Sequence, residues 1–104
     1  MDNPNFTITR QSEVPNIKYE VAGYIAYDTA GLFEKALNDA FQEYPQDISV
    51  DMEKVTVFTS VGIRVVLKAY KTATEKGIEF QIGNPSDTVR NVLKLSKLDI
   101  MLLK

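Results

Sequence analysis

Residues 55–73 read VTVFTSVGIRVVLKAYKTA, and this stretch decides the fold. Its first four residues form an apolar run that is too short for a helix and is typical of a buried strand. Thr59 and Ser60 follow, and from Ile63 to Ala73 apolar residues recur at spacings of three and four, which predicts an amphipathic helix. A buried strand that leads into such a helix is the building unit of an α/β domain.

The alternation of strands and helices continues on both sides of this stretch. The pattern before residue 28 predicts two strands with period-2 alternation and a bulge or bend at Gly23. A helix follows, which Asp28 is predicted to cap and Pro45 to end. Gly77 supplies a left-handed stop for the helix of the quoted stretch. The predicted elements are, in order, strands at 6–10 and 17–26, a helix ending at 44, a short strand at 48–52, a turn at 53–54, the apolar run at 55–58, a helix ending at 76, a strand at 78–82, a short helix capped by Ser86 or Asp87, and a strand at 100–103.

This order of elements, β-β-α-β-α-β-α-β, predicts one α/β domain over residues 1–104. Strands that alternate with helices form right-handed crossovers, so the sheet should be mixed and mainly parallel. The first two strands are expected to add an antiparallel hairpin at its edge. Three helices complete the predicted fold.

Composition excludes several kinds of chemistry. The 104 residues carry a net charge of −2 and contain no cysteine and no histidine. Disulfides, thiolate nucleophiles, Cys/His zinc sites and Ser-His-Asp catalysis are therefore excluded. The glycines match neither phosphate-binding fingerprint, no basic block suits nucleic acid, and no apolar run approaches the roughly 20 residues of a membrane span. We expect a soluble cytoplasmic protein that is not an enzyme, binds no cofactor, metal or nucleic acid, and does not insert into membranes.

Ser60 is the residue with the most evident functional potential. It is expected at or beside the start of a helix, where unpaired backbone N–H groups and the helix dipole favour an anion. A phosphate on Ser60 would add about −1.5 to −2 charges at small cost to the fold, and Gly62 would let another surface approach. The alternative is that Ser60 or Thr59 is simply an N-cap that contributes about 1 kcal/mol. Asp51 and Glu53, the other candidates considered, are expected to be solvated charges at a strand end.

Residues 50–67, VDMEKVTVFTSVGIRVVL, resemble the STAS family, the domain shared by anti-sigma factor antagonists and sulphate transporters. Members of that family typically have an aspartate-bearing strand, an aromatic residue, then D/S-S-S/T/A-G-L and a helix. The resemblance extends to residues 86–98, where the family has a serine, a short helix and an S-G-L ending, and to residues 21–30, which look like its G-x-L-D-x-x-T-A segment. It therefore covers nearly the whole chain.

The resemblance implies a phosphorylation switch. In bacterial antagonists of this family the serine two places before the glycine is the phosphoacceptor, and here that serine is Ser60. The implied partner is an anti-sigma factor that is itself a serine kinase, which binds the unphosphorylated antagonist and releases sigma. Phosphorylation then switches the antagonist off, and a phosphatase restores it. Transcription would be regulated indirectly.

The chain departs from the family pattern at several points. Thr59 and Ala26 stand where many antagonists have aspartates of the partner-facing site, and Lys97 replaces the glycine of S-G-L. The usual C-terminal helix is also expected to be lacking, since Lys104 directly follows the last predicted strand. These departures suit an alternative function, that of a constitutive STAS subunit of a signalling or transport complex that is not phosphorylated. A small enzyme or nucleotide-binding protein is the third alternative.

The resemblance also indicates which residues face a partner. Family members place the loop before Asp28 and the start of the helix at Ser60 on one end of the sheet. Tyrosine and arginine are common anchors of protein interfaces. The predicted partner-binding residues are Tyr27, Thr59, Ser60, Gly62, Arg64 and Lys68.

Overall fold

A computed structural model describes residues 5–12, 17–43 and 46–103 of the chain. It contains a four-stranded sheet and four helices. In chain order the elements are β1 (Phe6–Ser12), β2 (Ile17–Ile25), α1 (Ala30–Phe41), β3 (Ile48–Phe58), α2 (Ser60–Lys76), β4 (Phe80–Gly83), α3 (Asp87–Leu95) and α4 (Asp99–Leu102).

The sheet is mixed and mainly parallel, which confirms the predicted fold class. Its strands lie in the order β1-β2-β3-β4, with β1 antiparallel to β2 and the other two pairs parallel. Alternate residues divide the sheet into two faces. On one face Ile17, Val21 and Val50 are fully buried, whereas on the other Lys18 of β2 pairs with Ser49 of β3 and stays exposed.

The buried face is closed by the helices. Phe33 of α1 is fully buried. The centroid of its ring lies 6.3 Å from the centroid of the Phe6 ring in β1, and the two ring planes make an angle of 55°. Such tilted pairs of aromatic rings add to the hydrophobic stabilisation that their buried area provides. Val66 of α2 and Leu93 of α3 are also fully buried in the same core.

Strand β3 is continuous, so the predicted turn at residues 53–54 is wrong. Two register shifts against β2 replace it: Glu20 pairs with Asp51 but Ala22 with Lys54, and Gly23 pairs with Val55 but Tyr24 with Val57. Each shift leaves one extra residue in β3, which is the signature of a β-bulge. The expected irregularity at Gly23 is therefore present, with the extra residue in the partner strand. The burial of β3 accordingly changes from every second residue to every third after Met52.

Gly23 is required by its backbone. Its φ is +98°, and a Cβ at this position would lie 2.0 Å from the carbonyl oxygen of Asn5. That carbonyl accepts a hydrogen bond of 2.9 Å from the N–H of Tyr24. The close approach of the two backbones joins the start of β1 to β2 at the level of the second bulge.

Helix α3 covers the part of β3 that β4 does not reach. β4 pairs only with Ile48–Asp51, and immediately beyond that range the N–H of Ser86 donates to the carbonyl of Met52 at 3.1 Å. The Ser86 hydroxyl accepts from the N–H of Val89 at 3.2 Å, so Ser86, one of the two predicted caps, is the N-cap of α3. Val89 and Leu93 are fully buried, and α3 packs chiefly against β3.

The C-terminal segment is helical, so the strand predicted at residues 100–103 is wrong. α4 occupies Asp99–Leu102, and only Leu103 forms a single parallel bridge to Ile82. Consecutive apolar residues fit a strand and a helix equally well. Here Leu102 is fully buried and its N–H donates to the carbonyl of Leu98 at 3.0 Å, while Ile100 is 90% exposed. Residues 5–12, 17–43 and 46–103 therefore contain four helices where the sequence predicted three.

The ends of the other helices were predicted with mixed success. Gly77, with a φ of +72°, ends α2 in the left-handed conformation as expected. α1 begins at Ala30 with Thr29 at the N-cap position, so the predicted Asp28 cap is wrong. α1 ends at Phe41, and the predicted stop at Pro45 lies outside the described residues. Among the helices of the described ranges, none has the length and apolar character needed to cross a membrane.

Substitution of Gly23 by alanine should destabilise the fold by at least about 2 kcal/mol, because positive φ alone costs an L-residue about 1–2 kcal/mol and the Cβ would also collide with Asn5. Gly31→Ala is the matched control. A Cβ at Gly31, in the first turn of α1, meets nothing within 4 Å. Alanine there should leave the free energy of unfolding unchanged or raise it by up to about 1 kcal/mol. Urea unfolding of both variants tests this, and equal effects would contradict it.

Candidate functional site

Ser60 is the first residue of α2, as the sequence predicted. Its side chain is exposed, and within the described ranges its hydroxyl makes no hydrogen bond. The N-cap position belongs to Thr59, whose side chain makes no capping bond to the helix. The alternative that Ser60 or Thr59 is an N-cap is thus confirmed in position for Thr59, but the hydroxyl of Thr59 does not form the capping bond. The hydroxyl of Ser60 is free to face solvent or a partner.

Thr59 instead ties α2 to the neighbouring strand. Its N–H and its Oγ1 both donate to the carbonyl oxygen of Ile25, each at 3.1 Å. Ile25 is the last residue of β2 and pairs with Phe58, the last residue of β3. Because β2 and β3 are parallel, the loops that follow them leave the sheet at the same edge. Ser60 and the loop at residues 26–29 are therefore brought together.

A buried threonine shapes that loop. Thr29 is fully buried, and its hydroxyl accepts a hydrogen bond from the N–H of Ala26 at 2.9 Å and donates one to the carbonyl of Tyr24 at 2.9 Å. Asp28, the predicted cap, instead accepts a hydrogen bond of 2.9 Å from the hydroxyl of Tyr24. This bond to a carboxylate raises the pKa of Tyr24 above its usual value. Tyr27, held between these two anchors, is 91% exposed.

Gly62 lies on the inner side of α2. A Cβ at this position would lie 2.7 Å from Cε1 of Phe58 and 2.9 Å from Cγ2 of Ile25. The space left by its missing side chain is thus filled by the core of the same chain. This location differs from the expectation that Gly62 makes room for an approaching partner. It brings the first turn of α2 close against the ends of β2 and β3.

Two cations follow Ser60 along the exposed side of α2. Arg64 and Lys68 come four and eight residues later, a spacing that places all three side chains in one row. Nζ of Lys68 lies 3.0 Å from Oε2 of Glu34 in α1, so this ion pair bridges the two helices. Arg64 is exposed, and within the described ranges no ion pair or hydrogen bond of its guanidinium is found.

Five of the six predicted partner-binding residues are therefore at least partly accessible on or beside the first turns of α2 and the β2–α1 loop. Gly62 alone is buried. Sequence reasoning missed the two groups that support this surface, the Thr29 hydroxyl and the Ile25 carbonyl. A threonine three residues after a strand, directly before an apolar stripe, is a signal that could have indicated Thr29.

Asp51 and Glu53 lie within β3 and not at a strand end as predicted, and the carboxylate of Asp51 has structural partners. Asp51 accepts a hydrogen bond from the N–H of Glu53 at 3.0 Å and one from the side-chain amide of Asn84 at 3.1 Å. It thereby supports the first bulge of β3 and the turn after β4. Across residues 5–12, 17–43 and 46–103, no group of three or more acidic side chains is arranged to hold a metal ion.

These features define a single-domain α/β protein in which an exposed serine begins a helix beside a short, braced loop. The chain belongs to the STAS domain family, whose model matches residues 5–103. A comparison with curated proteins finds no match.

Solved structures share the fold at low sequence identity. An anti-sigma factor antagonist from Mycobacterium paratuberculosis has a TM-score of 0.85 and 21% identity, with 99% of this chain and 89% of that chain covered. The anti-sigma factor antagonist SpoIIAA in its unphosphorylated form has a TM-score of 0.80 and 19% identity over 94% of this chain and 86% of that chain. An antagonist STAS domain from Rhodobacter sphaeroides has a TM-score of 0.68 and 19% identity over 85% and 99% of the two chains.

Gly62→Ala should lower the free energy of unfolding by about 1–3 kcal/mol, the usual cost of overpacking a core. The added methyl group would collide with the ring of Phe58. Phe58→Leu removes part of that ring, so the double variant should lose less stability than the sum of the two single variants. A double-mutant cycle in urea measures this coupling. Strict additivity would show that Gly62 and Phe58 do not contact each other.

Thr59→Val and Ser60→Ala should separate the two hydroxyls at the start of α2. Valine at position 59 removes a part-buried donor to the Ile25 carbonyl, with an expected loss of about 1 kcal/mol. Alanine at position 60 removes an exposed hydroxyl with no partner and should change stability by less than about 0.5 kcal/mol. Thermal and urea unfolding of both variants provide the measurement. A loss of 1 kcal/mol or more for Ser60→Ala alone would restore the capping interpretation.

Proposed function

We propose that this STAS domain is an anti-sigma factor antagonist that is switched by phosphorylation at Ser60. In its unphosphorylated form it binds an anti-sigma factor with serine kinase activity, and phosphate on Ser60 ends that binding. A phosphatase restores the binding-competent form. The domain itself carries out no catalysis, so its effect on transcription is indirect.

The observation that carries this proposal is the position of the Ser60 hydroxyl. It begins α2, it is exposed, and within the described chain it takes part in no hydrogen bond. A hydroxyl in this state can reach a kinase active site and can accept a phosphoryl group without breaking a contact of the folded chain. The family membership of residues 5–103 and the similarity to structures of anti-sigma factor antagonists support the same function.

The rigid base of the site explains why one phosphate would suffice as a switch. Thr59 is bonded twice to the Ile25 carbonyl, and Gly62 leaves no space between α2 and Phe58. The backbone around Ser60 therefore cannot easily shift to accommodate an added group. A phosphate adds about −1.5 to −2 charges and considerable bulk to such a surface. A partner that fits the unmodified surface meets this charge directly, so binding is lost without a change of fold.

The surface around Ser60 includes both aromatic and basic groups. Tyr27 is 91% exposed in the neighbouring loop, and Arg64 and Lys68 extend the row along α2. Exposed tyrosine and arginine are frequent anchors of protein interfaces. Thr59 and Ala26, which replace the aspartates of many antagonists, bond with the Ile25 carbonyl and the Thr29 hydroxyl respectively. The braced loop is thus formed without those carboxylates.

The first test uses wild-type protein, Ser60→Asp and Ser60→Ala as baits in lysate of the native host, followed by kinase assays on the captured ATPases with purified protein. We expect wild type and Ser60→Ala to bind one serine kinase, and Ser60→Asp to lose at least about tenfold in affinity, since about 1.4 kcal/mol of repulsion or desolvation suffices. Mass spectrometry should find phosphate on Ser60 of the wild type.

Ser96→Asp is the control for this test. It introduces the same change at an exposed serine that follows α3, and it should bind as wild type does. If Ser60→Asp and wild type bring down the same partner with equal affinity, and that partner is not a kinase, the switch is refuted. The domain is then a constitutive interaction subunit.

A further inference from the structure

We propose that Arg64 binds the phosphate on phosphorylated Ser60, so that the modified side chain forms an ion pair within this chain. The inference rests on the proposed function, because it concerns the phosphorylated form of Ser60. It assigns to Arg64 the role of positioning the phosphate and of setting its charge.

The exposed side of α2 carries two neighbouring cations, and the described structure compensates one of them. Arg64 and Lys68 are like charges at a spacing of four, an arrangement that disfavours a helix. Glu34 of α1 compensates Lys68 through an ion pair of 3.0 Å. Arg64 has no such partner in the described chain, and the positions three and four residues away from it are Ser60, Val61, Leu67 and Lys68. None of these is a carboxylate.

Ser60 is the position from which an anion would compensate Arg64 best. An anion four residues before a cation is the more favourable order of an ion pair on a helix. A phosphoserine offers three acceptor oxygens, and the planar guanidinium can donate two parallel hydrogen bonds to them. The phosphate would compensate Arg64 as Glu34 compensates Lys68, so that each of the two cations would have an anion beside it.

Competing anions near this position are few. Among the described residues of the β2–α1 loop the carboxylate is that of Asp28, and it accepts a hydrogen bond from Tyr24 at 2.9 Å. Thr59 and Ala26 place no carboxylate beside Ser60. The replacement of the two family aspartates thus leaves Arg64 available to a phosphate. Thr59 and Ala26 thus alter the partner-facing surface and also favour the ion pair between Arg64 and phosphorylated Ser60.

The test uses protein made with phosphoserine at position 60, so it needs no kinase. The second ionisation of the phosphate is followed by ³¹P NMR in wild type, Arg64→Gln and Lys71→Gln. An ordinary phosphoserine has its second pKa at about 6. In wild type we expect that pKa to be lower by about half a unit, because an adjacent cation favours the dianion. This shift corresponds to an acid dissociation constant that is about threefold larger. Arg64→Gln should raise the phosphate pKa, and any lowering that remains is the contribution of the N–H groups at the start of α2.

Lys71→Gln is the matched control. Lys71 is exposed and lies on the same side of α2 as Ser60, but eleven residues away, which is about 16 Å along a helix. It should keep the wild-type phosphate pKa. Sodium chloride at high concentration should change the phosphate pKa more in wild type than in Arg64→Gln, since exposed ion pairs are screened by salt.

The outcomes separate this inference from the proposed function. Equal phosphate pKa values in wild type and Arg64→Gln overturn the ion pair, whatever the kinase assays show. Failure of every captured kinase to modify Ser60 overturns the switch, whatever the titration shows. If Arg64→Gln and Lys71→Gln both raise the phosphate pKa by the same amount, the lowering in wild type comes from the general positive field of α2. That result also overturns a specific role for Arg64.

Discussion

The carbonyl oxygen of Ile25 is the point on which the geometry of the functional surface depends. It accepts two hydrogen bonds from Thr59, one from the backbone and one from the side chain. These bonds join the ends of two parallel strands and set where α2 begins. A carbonyl has two lone pairs, and a buried one left unpaired is costly. Both donors of Thr59 bind this one carbonyl, so Thr59 has almost no conformational freedom. The position of the next residue, Ser60, is therefore fixed.

Packing reinforces the hydrogen bonds at this junction. Gly62 allows the first turn of α2 to rest directly on Phe58 and Ile25. Thr29 performs the corresponding task for the neighbouring loop by bonding with Tyr24 and Ala26. The exposed charged and aromatic side chains of this surface are therefore held in place by the buried contacts of Gly62 and Thr29. The phosphorylation switch and the Arg64 ion pair that we propose are both electrostatic events on this fixed base.

The order of the elements from β1 to α3 and the place of Ser60 could be predicted because both follow from local patterns. The apolar run 55–58 and the stripe that begins at Ile63 leave only a short junction between strand and helix. The cap of α1 could not be predicted in the same way. Asp28 and Thr29 are both good capping residues, and the choice between them depends on a carbonyl of β2 and on the hydroxyl of Tyr24. Those partners are brought there by the tertiary structure.

The errors at β3 and at the C-terminus have a similar origin. The charged pair Glu53 and Lys54 suggests a turn, but a bulge accommodates both residues on the exposed side while the strand continues. Residues 100–103 are all apolar and have no period of their own, so the buried site that receives Leu102 decides their conformation. The inward position of Gly62 likewise depends on the ring of Phe58, which no local pattern reveals.

The long separation of Thr59 from Ile25 along the chain bears on when the Ser60 surface comes into existence. Between them lie α1 and all of β3, because two parallel strands need a long crossover connection between them. Contacts of this kind are late and slow to form because they must close a long loop. A chain still emerging from the ribosome can expose a serine at position 60, but it does not yet display Tyr27 and Ser60 on one surface. Under the switch that we propose, a kinase that recognises the two residues together would modify folded molecules and pass over nascent ones.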